Sequence, residues 1–185
     1  MTEEDRHYLY KELVPSNDPI LKEEMPRFDF NNPPMDPHEI AHILAQTMIK
    51  NDGLGLAANQ VGLPYRVFVA MGNPILCCFN PKIVDVGEDE QLMEEGCLSY
   101  PDLFVKIKRP QVIRIRYTQP DGVTVTNQFQ DLTARVMQHE LDHLDGICHL
   151  SRANSFHLEQ ARKKARKVLT SNKSSIIMPN KQLII

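Results

Sequence analysis

The stretch Gln138-His139-Glu140-Leu141-Asp142-His143-Leu144-Asp145-Gly146 decides how the rest of this chain is read. Histidines four apart on a helix stand about 40° from each other, one turn along, so both imidazoles reach one metal ion. A glutamate beside the first of them is placed to act as general base toward water held by that metal. The pattern is short and occurs a second time, as His38-Glu39-Ile40-Ala41-His42. A helical wheel separates the two copies. Around residues 38–42, Ile40, Ile43, Leu44 and Met48 share one face, and His38 and His42 point away from it toward solvent. Around residues 139–143, Leu132, Val136, Met137, Leu141 and Leu144 define a wide apolar arc that contains His139, Glu140 and His143. Arg135, Gln138, Asp142 and Asp145 take the opposite side. A carboxylate and two imidazoles on a buried face are costly unless something binds them. The first copy is therefore read as a decoy and the second as a site.

With 185 residues, the chain fits one domain with a sizeable core. A net charge of -3 argues against wholesale nucleic-acid binding, and no DNA partner is expected. The acidic start, Met1-Thr2-Glu3-Glu4-Asp5-Arg6, has no apolar run behind it, so neither a targeting segment nor a membrane span is expected. Cys77, Cys78, Cys97 and Cys148 are spaced neither as a disulfide framework nor as a zinc knuckle. The expected setting is a reducing one: the cytoplasm, including that of a virus-infected host, or an organelle interior.

Working outward, residues 1–35 are polar and proline-rich and read as an extended arm with turns. Asp36-Pro37-His38-Glu39 starts a helix, with Asp36 as cap, that runs to about Asn51. Strand-like patterns follow at residues 66–71, 76–79 and 83–86, and Glu88-Asp89-Glu90 reads as a solvated turn. Residues 112–117 and 123–129 alternate about the turn Gln119-Pro120-Asp121-Gly122, which predicts a hairpin. Asp131 is expected to cap the site helix and Gly146 to stop it. A last helix is expected over residues 155–169, and the tail, residues 171–185, receives no assignment. Residues 1–170 are read as a single domain without repeats or a dividing linker.

One helix supplies two ligands, and a catalytic site wants a third with one position left open. Two candidates present themselves. Reading on from His139 to His149 reproduces the metzincin protease string, with Gly146 turning the chain so that His149 returns to the metal. Cys97 is the other, although a free cysteine in an apolar segment is more often a core residue.

Three stretches taken together choose between them. Gly53-Leu54-Gly55-Leu56-Ala57-Ala58-Asn59-Gln60, Glu95-Gly96-Cys97-Leu98-Ser99 and residues 138–146, in this order, closely resemble the signature motifs of peptide deformylases. The likeness covers roughly residues 10–165. It implies an α+β fold, with antiparallel or mixed strands around a central metal-binding helix. It also implies removal of the N-formyl group from the initiator methionine of nascent peptides, with release of formate.

By resemblance, Cys97, His139 and His143 bind the metal, and Glu140 moves the protons. Gln60 and the backbone N–H of Leu98 meet charge on the formyl oxygen. Gly53 and Gly55 let the substrate backbone approach, and Glu95 supports the site from behind a ligand. Leu54, Met93, Leu132 and Val136 line the methionine pocket. The implied metal is ferrous iron, with zinc, nickel or cobalt able to take its place in purified protein. Leu103 and Phe104 stand where many bacterial members carry an arginine near the substrate, a departure that bears on affinity rather than chemistry.

Arg162, Lys163, Lys164, Arg166 and Lys167 make a basic stripe on the last helix. A solvated face is the ordinary meaning of such a run, and contact with ribosomal RNA the sharper one. Two rival functions remain: a metzincin-like endopeptidase using His139, His143 and His149, and a non-catalytic relative that binds metal without turnover.

Overall fold

A computed structural model describes residues 10–171 and 184–185. Its elements are β1 (Gly55–Ala57), β2 (Val67–Ala70), β3 (Leu76–Val86), β4 (Glu90–Cys97), β5 (Tyr100–Pro110), β6 (Val112–Thr118) and β7 (Thr124–Gln130), with helices α1 (Pro37–Lys50), α2 (Asp131–Leu144) and α3 (Ser155–Ser171). Five strands form an antiparallel sheet in the order β1-β2-β3-β6-β7, and β4 pairs with β5 in a separate hairpin.

Alternation along β2 shows how the sheet is built. Val67 and Val69 face one side and join Ile40, Leu44 and Met48 of α1 in an apolar cluster. Phe68 and Ala70 face the other and join Ala134, Val136, Met137 and Leu144 of α2. A strand covered on both faces needs apolar residues at every position rather than every second one. Each fully buried Ile, Leu or Met contributes about 1.5–3 kcal/mol from area removed from water. The site helix thus lies packed on the sheet, with β5 of the hairpin also against it. The α+β arrangement around a central helix agrees with the expectation from sequence.

Asp36 caps α1 as expected, its Oδ1 accepting from the His38 N–H at 2.7 Å. The hairpin of β6 and β7 forms about the expected turn, with Thr118 opposite Thr124 and Gly122 at φ +84°. Gly146 stops α2 at φ +67°, its N–H reaching His143 O at 3.1 Å.

Four expectations need correction. The segments at 76–79 and 83–86 are one strand, broken by register shifts and by Asn80 at φ +50°. Asp131 does not cap α2. The N-cap is Gln130, and the Asp131 carboxylate accepts from Gln111 Nε2 at 2.6 Å instead. Residues 90–110, read only as an acidic turn and a motif, form the whole of the second hairpin. The side of α2 assigned to solvent is largely buried, for Arg135, Gln138 and Asp142 are each under 7 % exposed.

The arm also docks more closely than its composition suggests. Leu21, Met25 and Phe28 are buried, and the Met25 N–H donates to Leu144 O at 2.8 Å, tying the arm to the end of α2. A side chain at Gly146 would meet Lys22 O at 2.6 Å, so this glycine serves both the helix stop and the arm that crosses it. Among the described residues no helix is long and apolar enough to cross a membrane.

Candidate metal centre and active site

The three motifs meet at one point. β1 and the 3-10 turn that follows it carry the first, the end of β4 carries the second, and α2 carries the third. Cys97 Sγ, His139 and His143 bring one ligand atom each to within 4.8 Å of one another, and all three residues are buried. Cys97 Sγ lies 3.2 Å from His143 Nε2. His149, the rival ligand, is buried on the 3-10 turn His149–Arg152 with its ring 5.3 Å from that of His139, but it is not part of this group.

The donor set suits a divalent cation, and a specific observation supports the fit. Among the described residues, five buried side-chain atoms have no hydrogen-bond partner: Asn59 Oδ1, His139 Nε2, both oxygens of Glu140, and His149 Nε2. Three of the five belong to the histidine–glutamate pair at the heart of the motif. Orphaned polar atoms at this depth are expensive unless a ligand or water takes them up. Burial raises the Cys97 thiol and the Glu140 carboxyl well above their ordinary ranges and lowers the His143 imidazole well below its own. Every group is thereby pushed toward its neutral form, and a bound cation would reverse this for the thiol.

Behind the three candidate ligands stands a network that sequence reasoning largely missed. Burial alone would raise the Glu95 carboxyl, but His139 and Arg109 hydrogen-bonded to it hold it far below the carboxylate range. Its Oε2 lies 3.0 Å from His139 Nδ1, and its Oε1 accepts from Arg109 Nε at 2.8 Å and from Arg135 at 2.9 Å. An ionised partner at Nδ1 fixes the proton there and leaves Nε2 as the free donor atom toward the ligand group. Arg109 also reaches Asp142 at 2.7 Å, and Arg152 closes on the same carboxylate at 2.6 Å. This explains the buried polar side of α2: its charges face the hairpin rather than water. Glu95 was expected to hold a ligand from behind. Its arginine partners lie 14 and 40 positions away, and no local pattern announces them.

Gln60 is oriented by its own turn. Its Oε1 accepts from the Ala57 N–H at 2.8 Å, which leaves Nε2 facing Ser99 Oγ at 3.1 Å and Cys97 Sγ at 3.9 Å. Asn59 Nδ2 donates to His143 O at 2.6 Å, a bond that ties the first motif to the third. Gly55 has a packing reason to be glycine, since a Cβ there would lie 2.8 Å from Glu140 Cδ. A Cβ on Gly53 would meet Leu98 at the same distance. Leu54, Leu132 and Val136 belong to one apolar cluster beside the site, and Met93 is half-buried on β4. Phe104 covers Gly96, and Leu103 packs in a small cluster with Val105, Ile107 and Ala161 of α3.

Three convergent side chains that could hold a metal ion, beside a buried carboxylate, are the equipment of a metal-dependent hydrolase. The polypeptide deformylase family matches residues 10–159. A peptide deformylase of Thermotoga petrophila is 37% identical over 139 residues, which cover 73% of this chain and 82% of that one. A second, of Caldanaerobacter subterraneus, is 44% identical over 114 residues, 61% of this chain and 71% of the other. The crystal structure of the Synechococcus elongatus peptide deformylase in complex with actinonin superposes with a TM-score of 0.77 at 31% identity, over 84% of this chain and 86% of that one. The chain belongs to the peptide deformylase family, hydrolases that remove the formyl group from the N-terminus of nascent peptides.

Proposed function

We propose that this chain deformylates formyl-methionyl peptides with Glu140 as general base and acid and with Cys97, His139 and His143 as the metal ligands. The observation that carries the reading is the Glu140 carboxylate, buried without a partner beside three convergent ligand atoms. When bound, the cation would supply Lewis acidity, bringing the pKa of water to about 7 and polarising the formyl carbonyl. Ferrous iron is the metal we assign, a choice that rests on the family resemblance, and the same donors also suit zinc, nickel or cobalt.

Glu140, beside the three candidate ligands, takes the proton of the attacking water. It then hands the proton to the departing amine, so that formate and a free N-terminus leave. Gln60 Nε2 and the Leu98 N–H donate to the formyl oxygen as it gains charge. Glu95 holds His139 in the tautomer that presents Nε2. Gly53, Leu54 and Gly55 border the peptide backbone, and Leu54, Met93, Leu132 and Val136 receive the methionine side chain.

Formate release from formyl-Met-Ala-Ser by anaerobically prepared, iron-loaded protein tests this reading, with Glu140→Ala alongside. Turnover that falls about 10³-fold in the variant while metal content holds is the expected result. Bound metal with no turnover by the parent protein would leave the non-catalytic relative standing, and cleavage of unformylated peptides would restore the metzincin reading.

Residues 1–170 form the catalytic unit in this view, acting in the cytoplasm or an organelle interior. The five basic residues of α3 are all exposed, as a solvated face requires, and ribosome contact is kept as a secondary reading. Replacing all five with glutamine without loss of ribosome binding would remove it.

A further inference from the structure

We propose that the Ile184–Ile185 segment of this chain is a built-in competitor for its own substrate groove. The proposal rests on the deformylase reading above, which assigns that groove to the formyl-methionyl peptide. The segment lies between the first and second motifs and bonds to both. The Leu54 N–H donates to Ile184 O at 3.0 Å. Ile184 pairs with Gly96 in a parallel bridge, and the Ile185 N–H donates to Gly96 O at 3.3 Å. The Leu98 N–H donates to the main-chain oxygen of Ile185, also at 3.3 Å. Backbone groups on both walls are thus taken up by a short extended segment, as in recognition by strand addition.

Two details separate this from casual packing. Ile185 is 2% exposed and sits in the same apolar cluster as Leu54, Leu132 and Val136, three of the four residues assigned to the methionine side chain. The Leu98 N–H that it occupies is the donor assigned to the formyl oxygen. One residue therefore takes the side-chain pocket and an oxyanion donor together, and a formyl-methionyl peptide cannot use either until Ile185 leaves. Being part of the same chain, the segment competes at an effective concentration that dilution does not change.

Competition of this kind raises KM and leaves kcat alone, because the apparent affinity falls by the fraction of molecules with an open groove. If one molecule in ten is open, Ile185→Asp lowers KM for formyl-Met-Ala-Ser about tenfold at constant kcat. In the same variant the Leu54 and Leu98 amides exchange faster with solvent. A synthetic peptide of residues 181–185, Lys-Gln-Leu-Ile-Ile, restores their protection and inhibits competitively. Should the substitution compromise folding, the intact chain answers by methyl NMR, where added Met-Ala-Ser moves the Ile185 signals to solvent-exposed positions. Unchanged KM with unchanged amide exchange in a folded variant overturns the proposal, as do Ile185 methyl signals indifferent to saturating Met-Ala-Ser. If neither protein releases formate with metal bound, the deformylase reading falls instead. The amide exchange and methyl signals then still decide whether the segment occupies the groove.

Discussion

The two His-Glu-x-x-His copies are a controlled comparison within one molecule. Residues 38–42 and 139–143 both lie on 14-residue helices packed against the same sheet, from opposite faces. In α1 the histidines sit on the exposed side, and Ile40, Ile43, Leu44 and Met48 bury the other. In α2 the histidines and glutamate are buried, and the face that would normally meet water meets Glu95 and Arg109 of the hairpin. The spacing creates the opportunity in both helices. The second layer, β4 and β5, creates the candidate site in only one.

Loss of a ligand should break the comparison most completely. His143→Ala is expected to abolish stoichiometric metal binding and all turnover, whereas His42→Ala leaves metal content by elemental analysis unchanged. Glu140→Ala comes next: kcat falls about 10³-fold with metal retained, in the range general acid–base catalysis contributes. Glu39→Ala has no effect on kcat.

Glu95→Ala removes one acid from between two buried arginines and should destabilise by about 3–5 kcal/mol in denaturant titration. Metal affinity should fall about 10–100-fold as the Nδ1 partner of His139 is lost, which a competing chelator can measure. Gly55→Ala should lower kcat with little change in metal content, because the added methyl pushes on the Glu140 carboxylate and not on a ligand. The smallest effect belongs to the outer copy itself: the His38→Ala, His42→Ala double variant should keep stability within about 0.5 kcal/mol by thermal unfolding.

What could be read in advance follows the range of the interactions. The Asp36 cap, the Gly146 stop, the β6–β7 turn and the two inward histidines are set within a few positions of each residue, and periodicity or a turn sequence exposes them. Cys97, Gln60 and Glu95 came from the resemblance, since their meeting with α2 spans dozens of residues. Arg135 and Asp142 went wrong for an instructive reason. On a wheel they mark a wet face, because the wheel does not know that Arg109 and Glu95 will arrive from another strand to pair with them. The same holds for Ile184 and Ile185, whose partners at Leu54, Gly96 and Leu98 lie far back along the chain.

The placement of Cys97 on a hairpin outside the main sheet has a mechanical consequence. The imidazoles belong to a helix seated on the five-stranded sheet, while the Cys97 thiol belongs to the separate β4–β5 unit. An ion bound by all three is therefore a cross-link between two pieces of backbone that share no strand pairing. Withdrawing it would leave the salt-bridged arginines to clamp the hairpin, so the hairpin edge should loosen ahead of the sheet as denaturant is raised.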